Sequence, residues 1–305
     1  MILDLSADAQ EYGRQARQAF EAAGGDELVQ RAEAAPDTRE SLVAPVLDGL
    51  GAWELDPRTD ADGVEAAAAL CRSAGYWALP YPLAERLATP ADLDVDGMVV
   101  VGGARPSGAV AGLALRWATV SVDGRRALVT GCGGPQPGFV AEVELQPLDE
   151  AGSGDVALAL VLPCWTLLGM LDRAIELTVA HVNLRKQFGQ ALSAFQGVQF
   201  QLTDAEVERS GLDILAKHAL WSASSGSADA VADALALRLA AIEAADVVFR
   251  VCHQLHGAVG FCDETTLSWL SRYSQPLRRL PFGLSATREH LTHAVGSRGL
   301  AGLYT

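Results

Sequence analysis

Apolar and polar residues alternate at helical spacing through most of the first ninety positions. Runs such as AQEYGRQARQAFEAAGG and GVEAAAALCRSAGYW predict several short helices over 5–88, broken at Gly24-Gly25, at Pro36 and through the DPRTDADG stretch at 56–63. Then the period changes. Short β-prone runs at 98–102, 113–122, 126–130 and 140–145, punctuated by Gly, Pro and Asp123-Gly124, predict a small antiparallel sheet. After Asp155 the helical period returns and predicts three long helices, at about 163–184, 195–224 and 228–256, joined through QFGQALSA and SSGS. Along the third, Val231, Leu235, Leu239, Ile242, Phe249 and Cys252 form one apolar stripe, with Ser227 as the expected N-cap and Gly257 as the stop. Long helices joined by short loops pack antiparallel. The chain is therefore predicted to be mostly α. An N-terminal helical domain (1–90) is followed by a reduced middle β-domain (91–155) and a C-terminal antiparallel helical bundle (156–305).

Composition narrows the class. Half of the 305 residues are apolar, enough to bury a sizeable core in two compact units or in one with an appendage. The charge balance, 23 − 38 = −15, repels phosphate backbones and argues against a nucleic-acid partner. The charge-free stretch Val156 to Leu171 contains Pro163, Cys164, Thr166 and Gly169 and falls short of the ~20 apolar residues a bilayer requires. It is expected to be a buried helix, with no membrane partner. The first turns carry acids and lack the cationic start of a signal peptide. Five scattered cysteines without a CxxC pair fit reduced thiols, and a cytoplasmic location is expected.

No GxSxG, HExxH or P-loop motif is present. His253/His256 and His290/His293 have i,i+3 spacing but no third ligand nearby, so no metal is expected. The Gly102–Gly108 stretch follows a strand, contains Pro106 and leads into no helix, which predicts a plain turn rather than a phosphate cradle. Two blocks are more informative. Leu184-Arg185-Lys186-Gln187-Phe188-Gly189-Gln190 runs on to Phe195-Gln196 and Gln199, and the second block is Gln254-Leu255-His256-Gly257-Ala258-Val259-Gly260-Phe261. An Arg at a helix end with an aromatic three residues on can pair with a pyrophosphate and pack against an adenosine. A glycine beside Gln254 lets a second backbone approach the same ligand. Arg185 as a helix-end charge and Phe188 as a loop anchor fit equally, and the residues alone leave the two open.

Together these blocks, R-x-x-F-G…F-Q-x-x-Q and Q-x-H-G-A-x-G-F, resemble the C-terminal domain of the acyl-CoA dehydrogenase family. The Gly75–Glu85 segment and the helix–sheet–helix order are similar too. The resemblance implies an acyl-CoA dehydrogenase-like fold and FAD lying across a subunit interface. It also implies that Arg185, Phe188 and Gln196, with Gln254, Leu255, His256, Gly257 and Ala258, reach the adenosine diphosphate half of a flavin held mainly by the partner. Ala258 stands where the family has a second glycine.

The departures concern catalysis. The family removes an α-proton with a glutamate while hydride passes to the flavin. The base usually precedes the last helix, yet 273–287 contains no Asp or Glu. In other members it lies near the start of the first C-terminal helix. There Val156–Leu162 is wholly apolar, and the nearest acid, Asp155, is expected outside the helix. Glu176 is expected to be a paired or solvated surface charge and Glu264 an ordinary helix-start acid. The T-E-P…G-S-D-like loop and W-I-T-like strand that hold the flavin ring are missing from 91–155. The resemblance thus implies a subunit with no catalytic residue and no metal of its own, in an α2β2 complex with a homologous catalytic acyl-CoA dehydrogenase subunit. It further implies one FAD per heterodimer, an electron-transferring flavoprotein as acceptor, and a bulky, steroid-like acyl-CoA. The alternatives are a self-sufficient enzyme using Asp155 or Glu264, and a scaffold without flavin.

Overall fold

The computed structural model describes residues 4–296. The N-terminal layer is built from α1 (Ala7–Ala22), α2 (Glu27–Ala34), α3 (Arg39–Gly49), α4 (Ala61–Tyr76) and the short α5 (Leu83–Leu87). The breaks fall where Gly24-Gly25 and Pro36 place them, but α4 starts inside the predicted 56–63 break. There the Asp60 carboxylate accepts from the N–H groups of Asp62 and Gly63 at 3.1 and 3.0 Å, the usual N-cap geometry.

The middle sheet holds β1 (Gly97–Val101), β2 (Ser107–Gly108), β3 (Trp117–Ser121), β4 (Arg125–Cys132) and β5 (Ala141–Ala151), in the order β1-β3-β4-β5-β2. The Asp123-Gly124 turn joins β3 to β4 as expected, with Gly124 at φ 82°. The all-antiparallel expectation needs correction, because β1 pairs parallel with β3. The connection through 102–116 carries the chain out to β2 on the opposite edge and back, so β3 returns in the same direction as β1.

The bundle comprises α6 (Ser153–Leu184), the hairpin β6 (Lys186–Gln187) and β7 (Gln190–Ala191), α7 (Gln196–Ser224), α8 (Ala230–His256), α9 (Thr266–Arg279) and α10 (Leu284–Gly296). Helix α6 begins ten residues before the predicted 163, with Pro163 inside it. A proline costs one backbone hydrogen bond, but Val156–Leu162 is buried on every side, and that burial outweighs the cost. Although α6 is long and apolar enough to cross a bilayer, its most apolar window is 83% buried within the protein. Helix α8 starts at Ala230 with Asp229 at the N-cap, because Ser227 folds into the preceding turn and accepts from the Asp229 N–H.

Helices α4 and α6 cross at backbone contact. A Cβ on Gly75 would lie 1.8 Å from the Thr166 carbonyl oxygen, and one on Gly169 would lie 1.9 Å from that of Arg72. Arg72 then reaches across to Asp172 on α6 (2.6 Å) and Asp213 on α7 (2.6 Å), and the Tyr76 hydroxyl donates to Glu176 at 2.7 Å. These polar bonds fix the register of the crossing. Gly169→Ala should therefore lower stability by about 3 kcal/mol, the upper end of ordinary overpacking. Gly197→Ala, on α7 where a Cβ meets nothing within 4 Å, should be neutral or raise stability by up to about 1 kcal/mol. Denaturant melts of the two variants compare them directly, and equal effects would contradict the crossing.

Candidate functional site

The first block lies where α6 ends. Arg185 leaves helical geometry (φ −73°, ψ 121°) while its N–H still donates to the His181 carbonyl at 2.9 Å. The chain then turns back through β6 and β7, and the Leu192 N–H closes the hairpin on the Arg185 carbonyl at 2.8 Å. Phe188 and Gly189 form its two-residue tip with φ 52° and 83°, both left-handed, as a type I′ turn requires. Such a φ is strained for phenylalanine. The strain presents the ring to solvent: Phe188 is 92% exposed and only edges onto Phe195, at 6.2 Å between centroids. Gln196, exposed, follows at the first position of α7.

The second block lies where α8 ends. Gly257 takes φ 64° and ψ −146°, a region essentially restricted to glycine, and a Cβ there would meet nothing within 4 Å. Its backbone is thus open to close approach. Gln254, Gly257 and Ala258 are exposed and His256 is half-buried, whereas Leu255 turns into the bundle core. The two blocks meet through stacked imidazoles, His181 of α6 on His256 of α8, with centroids 4.4 Å apart. One outward strip therefore carries Arg185, Phe188, Gln196, Gln254, Gly257 and Ala258. These groups suit an adenosine diphosphate: a guanidinium for phosphate, a flat ring for the nucleoside, amides, and bare backbone.

The strip continues into an apolar face. Phe200, Val207, Ile214 and Trp221 recur every seventh residue along α7 and are each about half exposed or more (49–62%). Gln196 precedes Phe200 by four residues and so shares that face. A seven-residue apolar repeat left in solvent is the surface by which one helix docks on another.

Residues 161–283 match the family described as acyl-CoA dehydrogenase, C-terminal domain. Among curated proteins, (R)-benzylsuccinyl-CoA dehydrogenase of Thauera aromatica is 32% identical over 104 residues, 34% of this chain and 26% of that protein. Acyl-CoA dehydrogenase FadE28 of Mycobacterium tuberculosis is 35% identical over 92 residues, 30% and 27% respectively. The matching stretches thus span about a quarter of those relatives' lengths. In fold the likeness extends over nearly the whole chain. A variant of the Tcur3481-Tcur3483 steroid ACAD superposes with TM-score 0.78 at 20% identity, covering 96% of this chain and 99% of that one. The ChsE4-ChsE5 complex of M. tuberculosis gives 0.74 at 16% identity, covering 98% and 100%.

A more open cleft of ≈ 440 Å³ lies between the sheet and the bundle, lined by Val101, Ser121, Arg125, Val231, Leu235 and Phe282, but around α6 the interior is tight. Two cavities of ≈ 60 and ≈ 50 Å³ lie there, the first bounded by Ala74, Ala78, Thr166 and Met170 at the α4–α6 crossing, the second by Leu160, Pro163 and Pro281. Both fall well short of the roughly 150 Å³ that admits one benzene ring. The 273–287 segment puts Phe282 into the core. Asp155 lies inside the first turn of α6, not outside it as expected, and its carboxylate is taken up by Arg126 (2.8 Å) and Arg58 (2.9 Å). It therefore joins all three layers, since Arg58 comes from the N-terminal layer and Arg126 from β4. Glu176 is paired with Tyr76 and Arg173, and Glu264 is exposed in the turn before α9. His290 packs on the Phe282 ring at 4.6 Å, and among the described residues no three His, Cys, Asp or Glu side chains are grouped for a metal.

One carboxylate escaped the sequence analysis. Glu85 lines both cavities, and burial pushes its pKa up against the smaller opposing effects of its own backbone N–H and the Arg39 charge. The signal was a lone acid closing the otherwise apolar run Leu79-Pro-Tyr-Pro-Leu-Ala. Arg39 itself donates to the carbonyls of Pro80 (2.8 Å), Ala111 (2.5 Å) and Ala109 (3.2 Å).

Two outcomes follow. Phe188→Asn gives the turn its preferred Asn-Gly sequence and should raise stability by about 1 kcal/mol, measured by denaturant melts; a loss would contradict the strained turn. The folded protein holds the Glu85 proton to higher pH than the unfolded chain does. Its contribution is thus fully present below the ordinary carboxylate range and is lost as pH rises through the raised value. Glu85→Gln should melt progressively higher than wild type as pH rises above the ordinary carboxylate range, and a constant difference would contradict a buried carboxyl.

Proposed function

We propose that this chain is the non-catalytic subunit of a heteromeric, FAD-dependent acyl-CoA dehydrogenase, which completes the flavin site of a homologous catalytic partner. The observation that carries this is the direction of the site. The groups that would bind the nucleotide face outward, continuous with the heptad face of α7, and the two cavities around α6 that Glu85 lines have room for neither a three-ring flavin nor a thioester. Arg185 would pair with the diphosphate, Phe188 would pack on the adenosine, Gln196 and Gln254 would supply amides, and Gly257 and Ala258 would admit the ligand to backbone contact. When bound, FAD supplies the hydride acceptor. The partner supplies the α-proton base and the acyl pocket, and the α7 face docks against it. The structural neighbours named for a steroid ACAD and for a two-component complex support a heteromer acting on a bulky, steroid-like acyl-CoA; a cytoplasmic location is part of the same proposal. An electron-transferring flavoprotein is the acceptor that goes with this assignment.

Glu85 favours a second reading, a self-sufficient enzyme with this carboxyl as the base. Co-expression with a homologous catalytic subunit, followed by a flavin-to-chain count, separates the two. About one flavin for every two chains is expected in the complex and almost none on this chain alone. Full occupancy of the isolated chain would refute the proposal. In the complex, Arg185→Ala should weaken flavin retention about ten- to hundred-fold, the value of a charge-assisted bond.

A further inference from the structure

The outward strip has an electrostatic difficulty that its named residues do not resolve. Helices α6 and α8 both end there, at Leu184 and His256, and the C-terminal end of a helix carries partial negative charge. Two such ends repel a diphosphate. Arg185 offsets part of that charge, and the stacked imidazoles of His181 and His256 lie between the two ends.

We propose that the His181–His256 pair is a proton-coupled part of the diphosphate site, taking up a proton as the anion binds beside Arg185. The inference rests on the nucleotide strip proposed above and adds residues and a protonation step to it. His256 Nδ1 lies 2.9 Å from the Cys252 carbonyl, which can only accept, so Nδ1 carries the hydrogen of the neutral ring. The second proton must then enter at Nε2, which makes no protein hydrogen bond and is not among the buried unpartnered atoms. Without an anion the charged form is disfavoured. Burial first, then the neighbouring His181 and His253, hold His256 below the usual imidazole range despite the Cys252 carbonyl; burial and Arg185 do the same to His181. From the other packed elements, Phe261 covers His253 at 4.3 Å and Asp263 is engaged by Arg272 at 3.1 Å. Among the described residues the one imidazole–carboxylate pair is His218 with Asp233, so no acid neutralises this cluster. A bound diphosphate supplies the missing negative charge, and the proton taken from solvent goes to Nε2.

ADP-ribose is the appropriate probe, since it carries the adenosine diphosphate half of FAD on a diphosphate that does not titrate near neutrality. Calorimetry with the flavin-depleted complex of this chain and its catalytic partner should show proton uptake and binding about three- to ten-fold tighter near pH 6 than near pH 7.5. His256→Gln and His181→Asn should flatten that dependence while leaving the weaker, high-pH affinity in place. In wild type, the NMR titration midpoints of these two imidazoles should rise when ADP-ribose is added, a readout independent of whether the variants fold. Arg185→Ala should weaken binding at both pH values. If it does so while the histidine variants keep the wild-type pH profile, or if the midpoints do not move, the imidazole role is overturned and the strip stands. If Arg185→Ala has no effect, or ADP-ribose does not bind at either pH, both fail.

Discussion

Everything in this molecule is arranged around one backbone contact, the crossing of α4 on α6 at Gly75 and Gly169. Side chains normally hold packed helices 8–10 Å apart. Here each glycine lets a carbonyl of the other helix into the space a Cβ would fill. The N-terminal layer is drawn onto α6 so closely that Ala74, Ala78, Thr166 and Met170 leave a cavity of only ≈ 60 Å³ between the layers. The same helix runs on for 32 residues and delivers Arg185 to the outer surface. Closing the interior and equipping the exterior are thus two consequences of one helix.

The distribution of charge follows the same division. Inside, the buried cations are structural. Arg39 and Arg238 donate to main-chain carbonyls, and Asp155 is held between Arg58 and Arg126 at the junction of the three layers. A buried ion pair of this kind contributes little net stability when intact, but removing one partner strands a charge. It is therefore a poor candidate for a base that must gain and lose a proton each turnover. Outside, in a chain with net charge −15, the strip gathers Arg185 and two imidazoles, and among the described residues no acid forms an ion pair with any of them. The proposed diphosphate site rests on the Arg185 charge being free of a competing acid there.

Much of this was legible in the sequence because it is local. Helical periods, the Asp123-Gly124 turn, the stop at Gly257 and the Arg185–Phe188 spacing depend on neighbours a few residues away. What was not legible depends on residues brought together from distant parts of the chain. Asp155 lies in the helix because Arg58 and Arg126, remote in sequence, take up its charge there. The parallel pairing of β1 with β3 reflects a detour through β2 that no turn motif announces. Leu255 sits within a polar-looking motif, but the helical period turns it inward. Glu85 gains its significance only from what it faces across a layer boundary, and His181 from a neighbouring helix of the bundle.

The most direct test of an incomplete interior and a complete exterior is a structure of the co-expressed complex with flavin and a CoA thioester bound. The account predicts Arg185 of this chain on the diphosphate, with the flavin ring and the thioester α-carbon inside the partner. A thioester seated between the layers of this chain, with the Glu85 carboxyl against its α-carbon, would contradict it.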